Sequence, residues 1–458
     1  MKPWFAAGVA VACLYTVPPA FAAEAPWSLH EAMGAPENLT LSGSMRVRYE
    51  ALGGQVRPGF GRGEDLTALR TTLFAEYRTG RFRFGGEVFD SRVYGADRGG
   101  VLSTTDVNAL EPVQAYVAAD LGPVLGKGSS ASVQLGRMTL NLGSRRLVAA
   151  DDYRNTTSGY TGVKLDAKGW GGATATLIYV LPQTRLPEDM AGLRRNAVEL
   201  DEESGDLVLW GGVASKPVLP GGGLVELEYF GLDERDAPGR PTRDRQLHSY
   251  GARLFREPHA GRFDYDVEAI RQTGTIRASN SPAAPVLDVS AGFVHGEAGY
   301  QFAGAWKPHL SLEYDWVSGD RGGGRYNRFD TLFGMRRADF APSGLLSAVG
   351  RANISMPGVR LEATPSSRLD GFVHYGLMWL ASGTDAFSTA NVRDATGGSG
   401  RFAGQLLEGR IRYWLVPGAL RFEANAVLLA KGRFLKDAPN APPTGDTVYG
   451  SAALTATF

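Results

Sequence analysis

The chain has 458 residues, a formal net charge of zero with 21% charged residues, and a single cysteine, Cys13. The balance of charge implies no long-range bias toward nucleic acid, and one cysteine excludes an intrachain disulfide or a thiolate metal cluster. Sixty glycines and 10% aromatic residues suit a closed sheet with many turns and interfacial aromatic belts.

Lys2, a short apolar run from Trp4 to Tyr15, Pro18-Pro19 and the small-x-small triplet Ala20-Phe21-Ala22 together read as a secretory signal peptide over residues 1–22. Cys13 falls inside it, so the mature chain carries no thiol, which suits passage through an oxidising periplasm. Residues 23–37 read as a short periplasmic N-terminal segment, and 38–458 as one domain. No apolar run of 18 residues follows the signal, so no transmembrane helix is expected.

From Leu39 onward the period is two. Leu39, Leu41, Met45, Val47 and Tyr49 share one face, and Ser42, Ser44, Arg46, Arg48 and Glu50 the other. The alternation recurs around Leu69–Tyr77, Val225–Tyr229 and Phe263–Ala269. Leu73 and Leu227 are expected to face lipid, with Ser44 on the opposite face. The strands are longer than the usual 5–6 residues of soluble sheets and match the 9–11 tilted residues that cross a bilayer. Long polar connections are expected near 52–64, 93–108, 143–158, 182–205, 234–245, 272–287, 319–348, 382–403 and 431–446. Short turns are expected near 79–81, 121–130, 168–171, 216–222, 257–261, 303–307, 364–367 and 416–418. They alternate strictly, as periplasmic turns and external loops do in outer-membrane barrels. The prediction is an all-β fold, a transmembrane antiparallel up-and-down β-barrel of about 18 strands, with 182–205 and 319–348 exposed outside the cell. The alternating tail from Val448 to Phe458 ends in the aromatic typical of such barrels.

The lumen-phase charges divide into two walls. Arg46, Arg48 and Arg70, with Arg410 and Arg412 brought near by closure, form a basic wall. Glu226, Glu228, Asp264, Asp266, Glu268, Glu313 and Asp315 form an acidic wall, with no cation in phase on those strands. Fixed charge of this kind is how pores select solutes. Forty of the 48 cations are arginine, which binds carboxylates through a bidentate fork.

The stretch GRMTLNLGSRRLVAADDYRN resembles the signature of the alginate export family of outer-membrane barrels. Its matching residues are Gly136, Arg137, Leu140, Gly143, Ser144, Arg146, Leu147, Val148 and Asn155. Asp90-Ser91-Arg92 and Gln114-Ala115-Tyr116 upstream are similar to family elements. So are Ser318-Gly319-Asp320 and Phe329-Asp330 downstream, and Gly432-Arg433-Phe434 resembles a loop entry. Met138, Thr161-Gly162 and Leu406 depart from the pattern. The resemblance implies an 18-stranded barrel that passes an anionic polysaccharide.

No H-E-x-x-H or G-x-S-x-G motif occurs among the six histidines and the serines. Asp264, Asp266 and Glu268 read as a solvated lumen face, and Gly322-Gly323-Gly324 as a flexible external loop. No metal, cofactor or catalytic residue is expected. The expected partners are outer-membrane lipid, an anionic saccharide cargo, the barrel assembly machinery and a periplasmic export scaffold, with no nucleic acid. The expected location is the outer membrane of a Gram-negative bacterium. The alternative function is an uptake porin for small anionic solutes; the alternative from another class is a barrel enzyme acting on lipid or glycan.

Overall fold

The computed structural model describes residues 27–150, 153–169, 171–335 and 339–458; the signal peptide read from residues 1–22 lies outside them. The first thirteen strands are β1 (Leu39–Gly53), β2 (Gly63–Thr79), β3 (Phe82–Tyr94), β4 (Asn108–Gly122), β5 (Ser130–Thr139), β6 (Gly159–Gly169), β7 (Ala173–Pro182), β8 (Leu207–Leu219), β9 (Gly223–Glu234), β10 (Gln246–Arg256), β11 (Arg262–Arg277), β12 (Val286–Gln301) and β13 (His309–Val317). After the two-residue β14 (Arg325–Tyr326) come β15 (Ile354–Ser366), β16 (Leu369–Trp379), β17 (Phe402–Val416), β18 (Leu420–Lys431) and β19 (Thr447–Thr457). Each wall strand pairs antiparallel with its neighbours in sequence, β13 pairing directly with β15. β1 closes onto β19, with Ser44 opposite Thr457 and Gly53 opposite Val448. Eighteen described strands therefore form a closed wall. β14 adds a parallel pair to β12 beyond the end of β13.

Alternation explains the wall. Along β1, Met45, Val47 and Tyr49 point outward and are 47%, 40% and 48% exposed to the outside, where lipid replaces water; Arg46, Arg48 and Glu50 between them are buried inside. Leu73 and Leu227 also lie on the outward face. At the seam, the Phe458 amide donates to the Gly43 carbonyl at 2.9 Å and the Gly43 amide returns the bond at 2.7 Å. Closure leaves no free edge on the 18-strand wall among the described residues.

All the expected long and short connections are present, but two long ones do not stay outside. The described parts of these two, 140–150 with 153–158 and 327–335 with 339–353, turn into the barrel. Leu140, Leu147 and Val148 of the first, and Phe340, Leu345, Leu346 and Val349 of the second, are buried. This corrects the expectation that 319–348 is exposed: Arg321–Gly324 is exposed, whereas 340–346 is buried. The physical reason is the apolar content of the second half, which water does not solvate and the barrel interior does.

Candidate transport path and its plug

The inward segment between β5 and β6 is a strut across the lumen. Its described parts, 140–150 and 153–158, reach β11 at one end and β1 and β2 at the other. β2 and β11 stand nine strands apart in either direction round the 18-strand wall, so they face each other. The second inward segment braces the strut by main-chain bonds. The Ala149 amide donates to the Phe333 carbonyl at 3.1 Å, and the Phe333 amide donates to the Leu147 carbonyl at 2.9 Å. The two segments share one apolar core with the upper ends of the strands.

At the acidic wall the anchor is ionic. Arg146 donates to Asp339 at 2.8 and 2.9 Å, to Asp266 at 3.4 Å, and closely to Glu268. Arg351 also pairs with Asp339, and Ser144 donates to Glu268 at 3.0 Å. Burial on its own would push the Asp339 carboxyl up, but Arg146 and Arg351 outweigh it and hold it far below the ordinary carboxylate range. Burial likewise opposes the charge on Arg146, and Asp339 and Glu268 overcome it. Gly143 turns the strut toward this wall with φ +53, and a Cβ there would meet Glu226 Oε1 at 3.0 Å, so its left-handed backbone and its close approach both favour glycine.

At the basic wall the strut presents carbonyl oxygens. Arg46 and Arg70, opposite each other on β1 and β2, both donate to the Arg154 carbonyl, at 2.8 and 3.2 Å. Arg48 donates to the Tyr153 carbonyl and pairs with Glu50 at 2.7 Å. Asn155 fixes this end: its amide donates to the carbonyls of Leu69, Arg92 and Asp106 at 3.0, 3.2 and 2.9 Å. Ser91 donates to the Asn155 carbonyl at 2.6 Å. Burial first, and Glu50 second, push the neighbouring Asp106 carboxyl up to about 6.

A cavity of about 530 Å³ lies between the inward segments and the loop after β7, on the long-loop side. Arg154, Arg185, Arg328 and Arg351 line it, against Glu188 and Asp330. Its lining is thus cationic and rich in guanidinium groups.

A family profile described as "Alginate export" matches residues 37–445. The chain belongs to the alginate export family. It is an outer-membrane pore of the export type, and the families it resembles are transport channels. No curated protein sequence matches it. Among solved structures it is similar in fold to Pseudomonas aeruginosa OccK2 (OpdF) in complex with glucuronate, at 14% identity and TM-score 0.57, over 91% of this chain and 98% of that one. A BenF-like porin from Pseudomonas fluorescens Pf-5 is similar at 12% identity and TM-score 0.60, over 92% and 99%. P. aeruginosa OpdO is similar at 14% identity and TM-score 0.57, over 92% and 97%.

In this alginate export barrel the signature residues are mostly plug anchors. Arg146 and Asn155 hold the two ends of the strut. Arg137 pairs with Glu111 and with Glu203 at 2.7 Å, fastening the loop after β7 to the wall. Gly136 sits in β5 opposite Tyr116. Ser318 exchanges bonds with Gly292, its amide donating to that carbonyl and its hydroxyl accepting from that amide, each at 2.9 Å. Gly319 lies against the Asn353 side chain. Asp320 accepts from the Asn327 amide at 3.1 Å. Together these three set the turn by which the second inward segment leaves β13. Asp90 and Arg92 pair with each other at 2.9 Å and lie in the outward phase of β3; the inward residue of that triplet is Ser91.

The two walls need correction. The acidic wall carries cations. Arg253 on β10 binds Asp266 at 2.7 and 2.9 Å and reaches Glu226 at 3.5 Å. His309 shares the phase of Glu313 and Asp315 on β13, and Arg360 on β15 is 4.0 Å from Glu313. His295 on β12 binds Asp315 at 2.9 Å. Glu228 and Asp264 are buried inward with the rest of this wall. The alternation sorted charges strand by strand and did not carry them across strands, where register decides contact. Nor does closure gather all five arginines. Arg412 and Arg410 sit at 2.8 and 3.8 Å from Asp370, two strands, β18 and β19, away from β1.

Proposed function

We propose that this barrel is a passive conduit in the outer membrane of a Gram-negative bacterium for a uronate-bearing polymer or oligomer, acting as a channel and not as an enzyme. The observation that carries the reading is the convergence of Arg46, Arg48 and Arg70 on carbonyl oxygens of one inward strut. A sugar carboxylate accepts a charge-assisted, bidentate bond from guanidinium, roughly twice as strong as a neutral one. A passing uronate therefore replaces the Arg154 and Tyr153 carbonyls as the strut withdraws. Arginines spread over two strands bind weakly and repeatedly, which permits exit as well as entry. The arginine-lined cavity supplies a first or last station on the same path. Outer-membrane lipid, the barrel assembly machinery and a periplasmic export scaffold are the partners this reading requires, and it requires no nucleic acid.

The second reading is uptake of small sugar acids. What favours it is the fold shared with a barrel solved in complex with glucuronate. Reversal potentials in a salt gradient, with block by uronate oligomers of increasing length, test both. Arg46→Ala with Arg70→Ala is expected to lower anion preference and weaken block by long oligomers most. Wild-type selectivity in that variant, in an intact barrel, sinks the conduit reading; block by monomers alone favours uptake.

A further inference from the structure

A separate cluster lies at the short-turn end of the acidic wall. Asp264 near the start of β11, Glu297 near the end of β12 and His309 at the first residue of β13 bring two carboxylate oxygens and one imidazole nitrogen within 4.8 Å of one another. His309 Nε2 is 3.0 Å from each oxygen of Asp264. Zinc–nitrogen and zinc–oxygen bonds are about 2.0–2.2 Å long, so neighbouring ligand atoms around one ion sit roughly 3 Å apart.

The backbone makes the room. Gly299 faces Asp264 across one ladder and Ser311 across the other, and a Cβ at this position would collide with Asp264 Oδ1 and His309 Nε2. Asp264 and His309 are 5% and 6% exposed. A recess of about 130 Å³, lined by Asp264, Glu297, Asp266, Arg253, Arg256 and the turn at Glu257 and Pro258, opens beside the two carboxylates. That is space for a cation and a few waters, at about 30 Å³ each. The two arginines at this recess have partners of their own: Arg253 pairs with Asp266, which also lines the recess, and with Glu226, and Arg256 lies over the Tyr265 ring.

A hydrogen-bonded His–Asp pair accounts for the contacts at 3.0 Å but not for the third ligand. Two carboxylates carry the charge that one divalent ion balances, and the imidazole adds a nitrogen ligand. We propose that Asp264, Glu297 and His309 bind one divalent cation of the zinc type. The imidazole ligand favours such an ion over magnesium or calcium, and three protein ligands leave a coordination position open to water or a carboxylate.

The site does not depend on the cargo reading, and its test reads metal content rather than transport. Full-length barrel in detergent is stripped with chelator, exposed to ZnCl2, gel-filtered and analysed for metal. Wild type is expected to retain about one zinc per chain. His309→Ala and Asp264→Asn should lose it, Glu297→Gln should bind more weakly, and His259→Ala, in an exposed turn, should keep it. Heat-modifiable migration on gels identifies the folded barrels; if His309→Ala does not fold, the conservative Glu297→Gln decides. Zinc absent from wild type, or retained equally by all folded variants, overturns the proposal.

Discussion

The two ends of the strut are held by different physics. At β11, Arg146 is buried among Asp266, Glu268 and Asp339. At β1 and β2, guanidinium groups of the wall grip carbonyls of the strut, with Asn155 as the clasp. A buried charge network resists the loss of any member, because the remaining charges stay desolvated. A carbonyl contact is replaced at little cost by another acceptor, and best by an anion. The ionic end is therefore expected to be the fixed end of the strut, and on the proposed conduit reading the carbonyl end is the one an anion would release.

The strongest way to break this contrast is Arg146→Ala. It leaves buried Glu268 without its cation, while Asp339 keeps Arg351 and Asp266 keeps Arg253, and is expected to cost the plugged state about 3–5 kcal/mol. Single-channel recordings should show large, persistent conductance in a barrel that still migrates as folded. A closed channel in that variant would mean that the apolar core alone holds the plug.

Asn155→Ala acts on the other end. It removes the side-chain amide whose two N–H groups are shared among the Leu69, Arg92 and Asp106 carbonyls, and is expected to cost about 1–3 kcal/mol. The expected record is brief openings rather than permanent ones, with uronate oligomers lengthening them. Openings as persistent as those of Arg146→Ala would reverse the assignment of the fixed end.

The smallest effect is that of pH, and the two ends differ in it. Asp339 is held below the ordinary carboxylate value, so its contribution is complete above that value and is lost only as pH falls through the depressed one. Asp339 itself should not respond between pH 5 and 7.5, roughly the range above unperturbed Asp. Asp106, raised to about 6 in this plugged structure, is expected to return toward the ordinary Asp value when the strut leaves and its burial is relieved. Its stabilisation is full below the ordinary Asp value and declines as pH rises through about 6. Open probability should thus be lower at pH 5 than at pH 7.5, and Asp106→Asn should flatten the difference. An unaltered slope in that variant assigns the response to another group.

The wall was legible in the sequence because its rule is local. A strand of period two buries one face and presents the other to lipid, so Met45, Val47 and Tyr49 and their inward neighbours Arg46, Arg48 and Glu50 sorted themselves. Strand number followed from the spacing of turns. The family signature at Gly136–Asn155 was also visible, but not its work, since nothing in a linear motif says that Arg146 and Asn155 meet opposite sides of a barrel. Apolar residues in the second inward segment, such as Leu345, Leu346 and Val349, were the available sign that it leaves water. Only the tertiary structure decided which charges meet. Arg253 reaches Asp266 through cross-strand register, Arg146 reaches Asp339 across 193 residues of chain, and His309 joins Asp264 across the width of β12. Such contacts depend on closure and inward folding, and those are properties of the whole chain rather than of any segment.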